Sequence, residues 1–312
     1  MSTHLGKAMA LALALSSMPA VILADPFTSV VVYGDSLSDN GNLFAATGGT
    51  IPGPPNFDGR RSNGPVAVEQ LAAGLGVPLI DFAWDGATTG IGNFADGGTP
   101  TSFGAFGLPG MQTELANTAG LLGPFLSSGL FVVWGGPDDF LAPSPLDSFP
   151  SGVIARGVSD LVGIVTTLQG LGAQHILVPG IPDLGLTPFF ESMGPAFAAE
   201  GSAITDAFNA ALVSSLPTGV VYFNTAALLR HMVADPSSFG FTDVTDPCFN
   251  GTTVCANPDQ FLFWDDFHPT TATDSFVAKA FETAVPEPAT IVLLPAALML
   301  CFVIRKQRPY QR

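Results

Sequence analysis

Short runs of consecutive apolar residues alternate along the chain with longer stretches whose apolar residues recur every three or four positions. Five runs read as strands buried on both faces: Val30–Tyr33, Leu79–Ala83, Leu130–Trp134, His175–Pro179 and Val220–Phe223. Between them, Pro65–Gly76 carries proline at a helix start and glycine at its end. Val153–Gly172 sets Val158, Leu161, Val162, Val165 and Leu168 on one helical stripe. Ala196–Leu216 supplies a third helix and Thr270–Ala284 a last one. Unbroken apolar strands alternating with helices predict an α/β fold of three α/β/α layers around a mainly parallel five-stranded sheet. Such a sheet takes its ligands at the carboxyl ends of its strands. Two stretches keep neither period. Gly86–Gly110, rich in Gly, Thr and Phe, is expected to loop over the sheet edge, and Asp235–Phe263 to form a second long loop. No repeat or break in composition divides residues 25–284, which predicts one domain.

The two ends depart from this pattern. Residues 1–24 hold one lysine, an apolar run from Ala8 to Leu15 and small residues up to Ala24, which reads as a secretory signal cleaved after Ala24. Residues 285–312 hold an apolar run from Ala289 to Ile304 followed by Arg305, Lys306 and Arg308, a membrane-crossing segment whose basic end stays cytoplasmic. With the Val-Pro-Glu-Pro stretch before it, this end resembles the PEP-CTERM sorting tail of Gram-negative bacteria. That resemblance implies recognition by an exosortase and delivery to the periplasm, the outer envelope or the exterior, with transient anchoring in the inner membrane. A plain C-terminal anchor is the alternative.

Composition sharpens the picture in three ways. Charged residues make up 12% of the chain against 47% hydrophobic ones, which fits a packed globular body rather than disorder. Five of the ten basic residues lie in the two ends while all 26 acids lie between Asp25 and Glu287, so residues 25–287 have a net charge of −21. A surface of that sign repels nucleic acid and anionic lipid headgroups. Cys248 and Cys255 flank Phe249-Asn250-Gly251-Thr252-Thr253-Val254, whose Asn-Gly pair favours a tight turn, and an oxidising compartment would let them bond across it. So short a closed loop contributes about 2–3 kcal/mol. No Cys/His spacing suggests zinc, and no cofactor is implied.

Candidate chemistry begins at Ser36, which follows the first apolar strand directly in Val30-Val31-Val32-Tyr33-Gly34-Asp35-Ser36. A serine needs a base to become a nucleophile, and the body offers three histidines. His175 starts a strand and His231 lies in a helix-like segment. His268 sits in Phe263-Trp264-Asp265-Asp266-Phe267-His268-Pro269, three residues after Asp265. In a turn the two side chains meet, and Asp265 then orients the imidazole and stabilises the imidazolium. The competing reading makes Asp265 and Asp266 caps of the last helix. The tryptophans Trp84, Trp134 and Trp264 are expected to pack at strand ends. Arg60 and Arg61 either line a pocket entrance or serve the structure alone.

Gly34-Asp35-Ser36-Leu37-Ser38-Asp39-Asn40-Gly41-Asn42, with the distant Asp265-Asp266-Phe267-His268-Pro269-Thr270, resembles the GDSL esterases and lipases, also called SGNH hydrolases. The resemblance covers the whole body; the G-x-S-x-G elbow of other lipases is absent, with Ser38 at its last position. It implies the flavodoxin-like fold of that family and a triad of Ser36, His268 and Asp265. It also implies an oxyanion hole formed by the N–H of Ser36, the N–H of Gly86 and an asparagine side chain. Asp39 and Asn40 match the first block and are expected to brace the turn. The chain departs from the pattern at the asparagine: Asp138 stands there, followed by Asp139. An ionised carboxylate accepts hydrogen bonds and repels an oxyanion, and loss of one donor typically costs about 10²–10³ in rate. A protonated Asp138 would donate, two N–H groups would sustain a slower enzyme, or turnover is lost. The expectation is an exported serine hydrolase cleaving esters of acyl lipids or acetylated polysaccharides. The alternative is a catalytically weak or inactive glycan- or lipid-binding protein of the envelope.

Overall fold

The computed structural model describes residues 27–285. The predicted signal and all but Val285 of the predicted tail lie outside the described residues. Five parallel strands form the central sheet: β1 (Ser29–Gly34), β2 (Leu79–Asp81), β3 (Gly129–Trp134), β4 (His175–Pro179) and β5 (Val220–Phe223), in the order β2-β1-β3-β4-β5. The helices are α1 (Asn42–Ala46), α2 (Ala67–Leu75), α3 (Met111–Thr118), α4 (Pro137–Leu141), α5 (Ser151–Leu171), α6 (Pro188–Ser192), α7 (Pro195–Ser215), α8 (Thr225–Ala234) and α9 (Thr271–Ala284). The chain leaves β1 for β2 on one side and then crosses to β3 on the other, with Val31 opposite both Ile80 and Phe131. The crevice at the carboxyl ends therefore opens between β1 and β3.

Strand alternation divides the core. Val31, Tyr33, Phe131, Val133, Ile176 and Val178 meet Met111 and Leu115 of α3, Leu161 and Leu168 of α5, and Phe208 and Leu212 of α7. Val30, Val32, Leu130, Val132, Trp134 and Leu177 meet Val68 and Leu71 of α2 and Val277 and Phe281 of α9. Every residue of β1 and β3 is buried, which is why both read as unbroken apolar runs. The three-layer α/β/α arrangement is as expected.

Two strand details differ from the sequence reading, while Gly86–Gly110 is a loop as expected. β2 ends at Asp81 rather than Ala83; beyond it Asp81 Oδ1 accepts the Ala83 N–H, while the Phe82 and Trp84 N–H groups still reach the Val32 and Gly34 carbonyls of β1. The segment expected as one long loop contains β6 (Asp243–Pro247) and β7 (Phe261–Phe263), which pair in parallel. They rest on a satellite core of Leu229, Met232, Phe241, Leu262 and Phe263. Gly86–Gly110 is an ordered loop tied by backbone bonds such as Phe94 N–H to Gly86 C=O at 2.7 Å.

Candidate active site

β1 ends against a close neighbour: a Cβ on Gly34 would lie 2.5 Å from the Trp134 carbonyl oxygen of β3. The chain then turns sharply. Asp35 C=O accepts the N–H groups of Ser38 and Asp39 at 3.0 and 2.9 Å, and Asp35 Oδ1 accepts Leu37 N–H at 3.0 Å. That turn holds Ser36 in the wall of a cavity of about 590 Å³. Asp39 braces it: Oδ1 accepts the N–H groups of Gly41 and Asn42, and Oδ2 those of Leu43 and Asp85. One buried carboxylate thus locks the serine turn, the start of α1 and the segment after β2 into one frame.

His268 comes from the other end of the chain. Its Nε2 lies 2.8 Å from Ser36 Oγ across 232 residues of sequence. Its Nδ1 lies 2.8 and 2.9 Å from the two oxygens of Asp265. Asp265 Oδ1 also accepts the N–H groups of Phe267 and His268, at 2.9 and 2.8 Å, so the carboxylate shapes the turn that carries the ring. With Nδ1–H donated to Asp265, Nε2 is left to accept the serine proton. Burial alone would lower the His268 pKa, but the adjacent Asp265 carboxylate outweighs it and the net direction is upward. Burial likewise opposes ionisation of Asp265, and contact with His268 holds its pKa below the ordinary value. The last helix is capped instead by Thr270, whose side chain accepts Thr273 N–H. Asp266 lines the cavity without touching the imidazole, and its C=O accepts Phe189 N–H.

Gly86 follows β2 and faces the same cavity with φ +82. A Cβ there would sit 2.6 Å from Asn93 Oδ1, so both conformation and space call for glycine. Asn93 donates to the carbonyls of Asp85 and Pro109 and accepts Ala95 N–H. Among the described residues, neither Ser36 N–H nor Gly86 N–H is donated to a protein acceptor. Both amides border the cavity and are available to an anionic oxygen.

Asp138 lies in the first turn of α4, buried, with its side chain on the cavity wall. Asp139 beside it is anchored by Thr89, which donates its N–H at 2.8 Å and its Oγ1–H at 2.6 Å. The two arginines separate in role. Arg60 forms a two-pronged pair with Glu69, whose carboxylate also accepts Val66 N–H. Arg61 lines the cavity and donates Nε–H to Asp85 at 2.7 Å. The tryptophans pack: Trp134 Nε1–H is donated to Gly180 C=O, Trp264 Nε1–H to Asn56, and Trp84 rests against the sheet core. His175 packs edge-on against Phe27 and His231 against Phe239. Cys248 and Cys255 are joined by a disulfide at the base of the turn whose Phe249, Asn250 and Gly251 line the cavity. Among the described residues, no three His, Cys, Asp or Glu side chains are grouped to hold a metal.

Sequence reasoning found the Asp39 brace but missed two other carboxylates around the serine, Asp35 and Asp85. Asp35 is 1% exposed, its Oδ2 has no partner, and burial holds its pKa up at about 7. The Asn93 brace was also missed. Asp35, inside the first block, and Asp85, beside Gly86, were the available signals.

Comparison with known proteins places the chain among relatives. A family model described as GDSL-like Lipase/Acylhydrolase matches residues 30–281. Phosphatidylcholine-sterol acyltransferase of Aeromonas hydrophila is 30% identical over 243 residues, 73% of this chain and 67% of its own length. Thermolabile hemolysin of Vibrio parahaemolyticus is 26% identical over 84% of this chain and 65% of its own length. Esterase EstA of Pseudomonas aeruginosa is 28% identical over 86% of this chain and 48% of its own length. The chain thus spans about half to two thirds of these bacterial relatives. A solved acetyl xylan esterase, AlAXEase, covers 83% of the chain and 100% of its own at 11% identity, with a TM-score of 0.42.

Proposed function

The chain belongs to the GDSL-like lipase/acylhydrolase family, whose members are generally ester hydrolases, and from that premise we propose that it is a serine esterase or lipase working through an acyl-enzyme. Ser36 Oγ attacks the acyl carbon while His268 Nε2 takes its proton. The tetrahedral intermediate collapses as the imidazolium returns that proton to the leaving alcohol. A water molecule, deprotonated by the same imidazole, then attacks the acyl carbon, and the imidazolium returns that proton to Ser36 Oγ as the acid leaves. Asp265 holds the ring and offsets its charge. The N–H groups of Ser36 and Gly86 face the oxyanion, with Asp138 as the third member. The observation that carries this reading is the 2.8 Å contact of His268 Nε2 with Ser36 Oγ on the wall of an open cavity.

The cavity favours acyl esters over small acetylated sugars. Leu37, Leu43, Ile51, Phe94, Phe106 and Leu141 give it an apolar lining suited to a hydrocarbon chain. A relative named as a phosphatidylcholine-sterol acyltransferase agrees with acyl lipid as substrate. The sequence of residues 1–24 and 285–312 supports export and anchoring by an exosortase-type tail.

The test is hydrolysis of p-nitrophenyl esters from acetyl to palmitoyl by wild type and Ser36→Ala. Turnover that peaks beyond acetyl and vanishes in Ser36→Ala supports the proposal. Wild-type protein that binds acyl chains without turnover supports the envelope-binding alternative, for which a carboxylate at 138 is the favouring observation.

A further inference from the structure

Asp138 holds the position at which the family resemblance calls for a donor asparagine, and it carries a carboxyl group. It is 6% exposed and shares the cavity wall with Ser36 and Gly86. Among the described residues nothing is donated to its carboxyl oxygens, whereas both oxygens of the neighbouring Asp139 are taken by Thr89. Two adjacent acids on one helical turn thus have opposite surroundings. Asp139 is built as an acceptor, and Asp138 is left with nothing to accept.

The groups that face Asp138 come from five segments. Asp35 approaches from the turn after β1, with an unpartnered oxygen of its own. Asp85 comes from the segment after β2, and Asp139 from α4. Arg61 is the one cation on this wall among the described residues, and its Nε–H is already donated to Asp85. His268 and Asp265 line the same cavity. A second or third negative charge on one cavity wall, on largely buried carboxyl groups and without donors, is disfavoured. Burial first, then Asp35, Asp85 and Asp139, push the Asp138 pKa well above the usual carboxylate range, against the weaker pull of Arg61.

We infer that Asp138 acts as a neutral carboxylic acid whose O–H is donated to the oxyanion, and that loss of this proton sets the alkaline limit of activity. This rests on Ser36 being the nucleophile. The proton stays on Asp138 throughout; the hydrogen bond strengthens as charge builds on the acyl oxygen and relaxes when the carbonyl re-forms.

The donor is present below the Asp138 pKa and lost as pH rises through it. His268 must be neutral, so activity rises with pH through the His268 pKa. Wild-type kcat/KM is therefore bell-shaped. The Asp138→Asn amide donates at every pH, so the alkaline limb disappears while the acid limb stays. On the alkaline side Asp138→Asn exceeds wild type by about 10²–10³. A ratio of the two enzymes that does not change with pH, in either direction, overturns the inference. Arg61→Gln is the second variant: without the guanidinium both limbs move to higher pH, and an alkaline limb that stays or falls overturns the inference even if Asp138→Asn fails to fold. Hydrolysis that persists in Ser36→Ala overturns the nucleophile instead. No hydrolysis by wild type at any pH overturns both.

Discussion

Asp265 presents both carboxylate oxygens to Nδ1 of His268, at 2.8 and 2.9 Å, and its Oδ1 also receives the backbone N–H of His268 itself. A single side chain thereby fixes the turn, the tilt of the ring and the nitrogen that carries the proton. The interaction is within one turn, so it needs no help from the rest of the fold. What the fold supplies is Ser36, brought to the opposite nitrogen from the start of the body.

In Asp265→Asn the amide can donate to Nδ1, which favours the tautomer with the proton on Nε2 and blocks acceptance from Ser36. We expect kcat/KM on a short ester to fall by about 10³–10⁴ with the thermal midpoint little changed. Loss of the carboxylate also lowers the His268 pKa, so the residual acid limb should move to lower pH. Steady-state kinetics across pH check both.

Gly86→Ala should fail for two reasons at once. The φ of +82 strains any L side chain, and the new methyl group meets Asn93 Oδ1. The strain is worth about 1–3 kcal/mol of stability. An amide displaced from the oxyanion should cost about 10²–10³ in kcat with a smaller change in KM. Denaturant melts and kinetics on the same preparation separate the two effects.

The strands were legible because burial on both faces leaves an unbroken apolar run, as in β1 and β3. Helices α1 and α4 were not. Each has five residues, too few for a helical period to register, and the start of α1 is held by Asp39 rather than by a cap of its own. β6 was hidden in Asp-Val-Thr-Asp-Pro, a polar stretch that reads as loop. At the site, Ser36 and His268 stood out because histidines are few. Arg60 and Arg61 are adjacent in sequence, and only their partners, Glu69 and Asp85, tell the structural arginine from the one on the cavity. The buried acids escaped notice because carboxylates on an acidic chain read as solvated surface. Their burial depends on donors from distant residues, such as Gly34 N–H for Glu114 and Ser62 for Asp274.

Those acids predict an unusual pH dependence of stability. Burial holds the pKa values of Asp35 and Asp139 at about 7 and raises those of Asp81, Glu114 and Asp274 well above the ordinary range. A raised folded-state pKa gives stability that is complete below the unfolded value, about 4, and is lost as pH rises through the folded one. The thermal midpoint should therefore fall steadily between about pH 5 and pH 8. Glu114→Gln should raise it at pH 8 and leave it unchanged near pH 5. A midpoint that climbs over that interval would contradict this picture of the core.

The disulfide bears on substrate binding as well as stability, because it closes the turn whose Phe249, Asn250 and Gly251 line the cavity. Replacing both Cys248 and Cys255 by serine should lower stability by about 2–3 kcal/mol. It should raise KM for long acyl esters while kcat changes little, since no group near Ser36 moves. Calorimetry and chain-length kinetics on the double variant test this.

The central claim is that Ser36 is a nucleophile activated by His268. The most direct measurement is to react the protein with a fluorophosphonate, digest it and locate the adduct by mass spectrometry. One modified peptide is expected, with the label on Ser36, and a rate of labelling that collapses in His268→Ala. An adduct on another serine, or labelling of Ser36 at the same rate without His268, would contradict it.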